Sequence, residues 1–269
     1  MTIPMQWALR RRMMMAALGS GIDVAALSIT YTGAHTDYGM VTMSDGARYR
    51  LLAFTASGTL SIEQPVNCEV CVVGGGANGA KATRDGGGGD GGAGAYLKNQ
   101  SVSAYNGGSV VVGARQGVSS IAGVSVNAVS GKNGGTGAGG NTAGTGDGIS
   151  KYPFEDTGYS LWAGKPHCGG GGQGAYEYLT SESSEQGYNG GKGGTNGGNG
   201  YSRGSNQVSS PSGGRGGSYG GGRGGTYGVG NKATYYGSGA GGGQHSTKVL
   251  YDGGSGYQGI VYMRIPVIQ

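Results

Sequence analysis

Runs of apolar, β-branched and aromatic residues, separated by short polar turns, follow one another from residue 22 to residue 73. Four of them read ALSITYTG, YGMVTM, ARYRLLAFTA and GTLSIEQPVNCEVCVV, and Ser44-Asp45-Gly46 is one of the turns between them. At the far end of the chain, residues 259–265 alternate between apolar and polar positions. We therefore expect an all-β fold in which residues 22–73, 95–130 and 259–269 form a small β scaffold closed by the C-terminal strand.

One further segment of this scaffold carries a turn signal. Residues 95–114 read AYLKNQSVSAYNGGSVVVGA, with Asn106-Gly107 between two strand-like halves. Asn-Gly is the strongest short-range signal for a two-residue β-hairpin turn. The sequence predicts a hairpin here.

The first 21 residues have a different pattern. Arg10, Arg11 and Arg12 precede the apolar run MMMAAL, and Gly19-Ser20-Gly21 follows it. The run is shorter than the apolar region of a secretory signal, so a short amphipathic helix that ends at the glycines is favoured over a cleaved signal peptide. We expect residues 1–21 to form an attachment helix. The residues expected to pack against a neighbouring protein are Trp7, Leu9, Met13, Met14 and Met15.

Composition divides the chain further, because 61 of its 67 glycines lie between residues 74 and 259. Disorder is one interpretation, because the few apolar side chains in this zone bury too little surface to offset the entropy that the chain loses on folding. The other is an array of extended three-residue helices of the polyglycine II type, whose backbones pack directly because glycine has no Cβ. We favour packed helices for residues 74–258, inserted into the β scaffold and held at both ends.

No cofactor or metal site is expected from the reactive side chains. Cys68 and Cys71 form a CxxC motif, but residues three apart on a strand point to opposite faces and cannot easily share one metal ion. The three histidines lie far apart with no nucleophile motif, and the Gly-rich phosphate-loop patterns lack the required strand and helix. Glu155-Asp156 looks like solvated loop charge. We expect no enzymatic activity.

The charge balance and the hydropathy exclude two further classes of partner. The net charge is only +5, and no stretch of 18 apolar residues exists, so neither nucleic-acid binding nor membrane insertion is expected. Arg215 and Arg223 lie in GGRGGSYGGGRGG, which is similar to RNA-binding arginine–glycine segments. With only two such units, RNA binding is kept as the less favoured alternative.

Tyrosines supply the strongest sign of recognition. Twelve of the eighteen lie between Tyr152 and Tyr257, in segments rich in serine, glycine and asparagine. This is the composition of recognition loops, because tyrosine offers a large amphipathic contact area with few torsions to freeze. These rings could instead shield the glycine helices, and both roles can hold at once. The expected receptor-binding residues are Tyr152, Phe154, Tyr159, Trp162, Tyr176, Tyr178, Tyr188, Tyr201, Tyr235 and Tyr236.

Two boundary motifs resemble those of the glycine-rich domain of phage tail and tail-fibre tip proteins. In that family a strand ending in Val-Val-Gly-Gly-Gly opens the glycine zone and a strand of the type G-I-V-x-x-R-I closes it. Residues 72–76 and 259–265 match these two motifs, and the resemblance extends over residues 38–269. Members such as the long-tail-fibre adhesins of T-even-like phages carry polyglycine helices and bind host receptors through distal loops.

The resemblance implies a virion protein that recognises a bacterial surface glycan or protein and that acts outside the host cell. The leader MQWALRRRMMMAAL departs from the pattern of a separate tip protein, and it suggests direct attachment to other tail or fibre proteins, as a homotrimer. A structural component of the tail tip or capsid without a receptor of its own is the main alternative.

Overall fold

A computed structural model describes most of the scaffold and part of the glycine zone. The described residues are 22–82, 91, 94–95, 97–126, 152–162, 167–168, 171, 176–179, 185–188, 207–208, 222–223, 225, 228–245 and 249–267. The predicted attachment helix over 1–21, with Trp7, Leu9, Met13, Met14 and Met15, lies outside them. So do Tyr201 and residues 127–130.

The described chain is an antiparallel β structure with almost no helix, which confirms the all-β prediction. Its strands are β1 (Ile29–Tyr31), β2 (His35–Thr42), β3 (Arg48–Phe54), β4 (Gly58–Val73), β5 (Leu97–Val111), β6 (Ser119–Ile121), β7 (Val124–Val126), β8 (Tyr176–Leu179), β9 (Glu185–Tyr188), β10 (Gln207–Val208) and β11 (Ile260–Pro266). A short 3₁₀ turn spans Pro153–Glu155. Within these residues, no helix is long and apolar enough to cross a membrane.

The main sheet places the C-terminal strand at its centre. The strand order is β2-β3-β11-β4-β5-β6-β7, and β1 pairs with β4 outside this path. β11 pairs with β3 through Met263 and Leu52, and with β4 through Met263 and Val70. The C-terminal strand β11 therefore lies between β3 and β4, which follow each other in the sequence. A second sheet has the order β10-β9-β8.

The centre of the main sheet is buried on both faces. One face packs residues such as Phe54, Val70 and Met263 against Val24, Leu27 and the strands β6 and β7. The opposite face packs Leu51, Cys71 and Tyr262 against the segment that contains Phe154 and Trp162. Every residue from 260 to 265 is buried, so the predicted alternation in β11 does not hold. Strands covered on both sides favour continuous apolar runs.

The hairpin predicted at Asn106-Gly107 is wrong, because β5 continues through these residues. It pairs with β4 on both sides of them, from Gly58–Val110 to Val73–Leu97, with register shifts between. Gly107 has φ +116°, and a Cβ there would overlap the carbonyl oxygen of Leu60. The glycine permits a close approach inside a bulged strand instead of a turn.

In the glycine zone, backbone hydrogen bonds between extended segments recur at every third residue. A central segment, residues 238–244, bonds to four others: 76–82, the described residues 222, 223 and 225, and the segments 228–233 and 251–257. Residues 222 and 225 donate to 239 and 242, residues 240 and 243 donate to 77 and 80, and residues 251, 254 and 257 donate to 244, 241 and 238. Residues 76, 79 and 82 in turn donate to 257, 254 and 251. The spacing of three is that of the polyglycine II helix.

Candidate functional site: a tyrosine surface beside the main sheet

Phe154 and Trp162, two of the predicted receptor-binding residues, belong to the core. Trp162 is 1% exposed and Phe154 is 6% exposed. The Trp162 ring lies 4.7 Å from the Tyr159 ring and 5.7 Å from the Tyr262 ring, centroid to centroid. Both side chains cover the main sheet and cannot meet a receptor in this structure.

Asp156 holds this covering segment in place and is also buried, contrary to the expectation of solvated charge. Its carboxylate accepts hydrogen bonds from the amide and hydroxyl of Ser44 and from the amides of Gly158 and Tyr159. Its carbonyl oxygen accepts the indole N–H of Trp162 at 2.5 Å. The carboxylate therefore joins the 43–47 turn to the aromatic segment.

Four tyrosines, Tyr38, Tyr159, Tyr236 and Tyr257, gather beside this segment; we call them the tyrosine surface. Tyr38 is 40% exposed and Tyr257 is 37% exposed, while Tyr159 and Tyr236 are half-buried. The Tyr236 and Tyr257 rings meet edge to face with centroids 5.3 Å apart. Four separate segments of the chain contribute to this surface: Tyr38 comes from the β scaffold, and the other three tyrosines come from the glycine zone.

The electrostatic coupling of their hydroxyl groups also indicates that these tyrosines lie close together. Burial raises the pKa of Tyr159, with further contributions from Tyr38 and Asp156. Burial likewise raises the pKa of Tyr236, and Tyr257 and Tyr38 add to the rise. Each ionised neighbour would disfavour a second phenolate. The hydroxyls of Tyr159 and Tyr236 therefore stay protonated near neutral pH and can both donate and accept hydrogen bonds.

Buried aromatic groups support the tyrosine surface from below. The His167 ring stacks on Tyr236 with centroids 6.0 Å apart, and its Nε2 lies 3.0 Å from the hydroxyl of Tyr262. The amide of Cys168 donates to the carbonyl oxygen of Tyr236 at 3.1 Å. Tyr236 is thus fixed by both its ring and its backbone.

A β-bulge in β2 presents Tyr38. The register with β3 shifts between Asp37 and Met40, so one extra residue lies in the edge strand. Gly39 has φ +64° and donates its amide to the carboxylate of Asp37 at 2.8 Å. Bulges of this kind are common near binding sites because they redirect a side chain.

The structure brings together only some of the other predicted residues. Tyr152 is half-buried against the core, and Tyr235 is half-buried without a ring contact to the tyrosine surface. Tyr176 and Tyr178 lie in β8 and Tyr188 lies in β9, where the register sets Tyr176 opposite Tyr188. The prediction missed Tyr38 and Tyr257. The Asp-Tyr-Gly sequence at 37–39 is the one local signal for the former, since a glycine inside a strand indicates a bulge.

Beneath the aromatic segment lies a buried ion pair. Arg264 of β11 binds Glu69 of β4, with Nε 2.8 Å from Oε2. Its guanidinium carbon lies 4.3 Å from the ring centroids of both Tyr49 and Phe154. The positive charge is enclosed between two rings and neutralised by the carboxylate.

The cysteines lie on opposite faces of the sheet, as the strand spacing predicts. Cys68 belongs to one core cluster, and Cys71 and Cys168 belong to the other. All three are buried and form no disulfide bond. Over the residues that the structure describes, no group of three potential metal ligands occurs.

The buried thiol of Cys68 makes the free energy of unfolding depend on pH in the alkaline range. Burial, with a smaller contribution from Glu69, raises the pKa of its thiol to about 12, whereas an exposed thiol ionises near pH 9.0. The unfolded chain therefore loses this proton first, and the contribution to stability falls as the pH rises above 9. We expect it to fall by about 1 kcal/mol between pH 8 and pH 10. Urea unfolding of the wild type and of Cys68→Ala at both pH values measures this difference; an equal fall in both proteins would contradict it.

No protein-family model matches the chain, and no curated protein or solved structure matches it either. The geometry of the site therefore supplies the functional argument. The tyrosine surface offers ring faces and hydroxyl groups on a rigid support, which suits binding.

Proposed function

We propose that this chain is a receptor-binding protein of a phage tail or tail fibre, without enzymatic activity. The observation that carries the proposal is the tyrosine surface, where Tyr38 and Tyr257 are exposed on a support of half-buried and buried rings. Exposed tyrosine on a rigid support is typical of recognition sites, because little side-chain entropy is lost on binding. The partner is a receptor on the bacterial surface.

The glycine zone is proposed to be an array of polyglycine II-like helices that holds this surface. Hydrogen bonds at every third residue, among five extended segments, support this arrangement. Tyr257 ends the segment 251–257, and Tyr236 lies in the turn that joins segments 228–233 and 238–244, so the array sets their spacing. Residues 1–21 attach the chain to other tail or fibre proteins as a homotrimer in the same proposal.

Gly79→Ala tests the array. A Cβ at residue 79 would overlap the carbonyl group of Gly241, and the amide of Gly79 donates to Gly254 at 3.1 Å. We expect the free energy of unfolding to fall by about 2–3 kcal/mol, because neighbouring backbones must move apart. Chemical denaturation measures this change.

Lys81→Ala is the matched control for this variant. Its ammonium pairs with Asp252, but both side chains are largely exposed, so the expected change is about 0.5 kcal/mol or less. Equal stability of Gly79→Ala and the wild type would show that the segments do not pack closely.

Binding of the labelled full-length protein to intact bacteria tests the function. The proposal predicts saturable binding that is restricted to some strains of a broad panel. A stable, soluble oligomer that binds no strain would instead support a structural virion component, and salt-sensitive binding to single-stranded RNA would support the RNA-binding alternative.

A further inference from the structure

We infer that the tyrosine surface binds an uncharged glycan, with sugar rings stacked on the exposed faces of Tyr38 and Tyr257. This inference rests on the proposed receptor-binding function and names the chemical class of the receptor. It follows from the ring geometry, the rigidity of the support and the charges around the surface.

The rings and hydroxyls of the surface match the two kinds of group that a sugar presents. A pyranose ring has a C–H face that packs on an aromatic face, and hydroxyls around its rim that need hydrogen-bond partners. Tyr38 and Tyr257 are the two large exposed rings of the surface, and both add to the rise that burial causes in the pKa of Tyr236. Each phenol can donate and accept a hydrogen bond at the edge of the ring.

The contacts that hold Tyr257 and Tyr236 in place leave these side chains little conformational entropy to lose on binding. Tyr257 meets Tyr236 edge to face, with an interplanar angle of 85°, and Tyr236 is stacked on His167. The amide of Tyr257 donates to Ser238 at 2.9 Å, and its carbonyl accepts from Gly76 at 2.8 Å. Stacking on a sugar is a weak contact that must offset the entropy lost when the binding site becomes ordered. The preformed contact between the Tyr236 and Tyr257 rings reduces that entropy loss and so favours glycan binding.

The surrounding charges argue against an acidic polymer. Within three residues of the four tyrosines along the chain, the charged side chains are Asp37 and Asp156. Asp37 pairs with Arg50 at 2.7 Å, and Asp156 accepts four hydrogen bonds. Arg50 also donates to the carbonyl oxygens of Val24 and Leu27. Arg50 is therefore already engaged, and no lysine or arginine lies within three residues of the four tyrosines along the chain to bind an acidic polymer.

Polysaccharide from a strain that binds the protein provides the test. It is separated by anion exchange into neutral and acidic fractions, and each fraction is measured for direct binding and for competition with whole cells. We expect the neutral fraction to bind and compete. We expect the Tyr38→Ala/Tyr257→Ala variant to bind the neutral fraction at least about tenfold more weakly, as interface aromatics do.

Two further variants separate stacking from folding and from hydrogen bonding. Tyr235→Ala removes a half-buried tyrosine outside the surface and is expected to bind as the wild type does. Tyr38→Phe keeps the ring and loses the hydroxyl, so it should retain more affinity than Tyr38→Ala. Chemical denaturation of each variant confirms that it is folded.

The outcomes distinguish the inference from the function on which it rests. If cells are bound but only the acidic fraction competes, or if protease treatment of the cells abolishes binding while neither fraction competes, the glycan inference is overturned and receptor binding stands. An equal loss in Tyr235→Ala would also overturn it. If no strain is bound, the proposed function itself fails.

Discussion

Trp162→Ala is expected to lower the free energy of unfolding by about 3–5 kcal/mol, as large aromatic truncations in a core do. The indole is 1% exposed and packs among Phe154, Tyr159 and Tyr262. Its loss leaves a cavity against the main sheet and removes the indole hydrogen bond to Asp156. Chemical denaturation measures the change.

Tyr38→Ala is the matched comparison, because it removes an exposed ring from the same side of the molecule. We expect its stability to stay within about 0.5 kcal/mol of the wild type, while its binding to cells falls. A Trp162→Ala protein that is as stable as the wild type but loses binding to cells would contradict the assignment of Trp162 to the core. It would support the receptor-binding role predicted from the sequence.

Glu69→Ala is expected to cost about 3–5 kcal/mol, because it leaves the buried guanidinium of Arg264 without its carboxylate. Arg264 is 2% exposed and lies between the rings of Tyr49 and Phe154, so water cannot readily replace the lost partner. The change also weakens the contact between β11 and β4. Guanidinium denaturation with a tryptophan fluorescence readout follows it directly.

The double variant Glu69→Met/Arg264→Met controls for the loss of charge pairing. Apolar replacement of both partners of a buried ion pair is often nearly neutral, so this protein should be more stable than Glu69→Ala. A double variant that is less stable than Glu69→Ala would show that the ion pair itself stabilises the fold, beyond preventing an unpaired buried charge.

The sequence predicts much of the scaffold because strand propensity and turn chemistry are local. The strands from Ile29 to Val73 follow the apolar runs, and β11 follows the C-terminal run. The predicted Asn106-Gly107 hairpin does not form because β5 pairs with the 16-residue strand β4 on both sides of these residues, across register shifts, and this pairing overrides the local turn signal. Glycine fits a bulged strand and a tight turn equally well, and only tertiary pairing decides between them.

The site was harder to predict because aromatic composition does not separate buried rings from exposed ones. Trp162 and Tyr159 lie three residues apart, yet the first is core and the second reaches the tyrosine surface. Tyr38 was missed because its partners are more than a hundred residues away in sequence. The burial of Asp156 likewise depends on Ser44, which lies 112 residues away along the chain.

Photo-crosslinking on bound cells tests whether the tyrosine surface contacts the receptor. A photoreactive benzoylphenylalanine replaces Tyr38 in one protein and Ser125 in another. Ser125 is exposed on β7, which packs on the face of the main sheet opposite the segment that contains Phe154 and Trp162. We expect crosslinks to the cell surface from position 38 and none from position 125. Crosslinks from position 125 alone would contradict it.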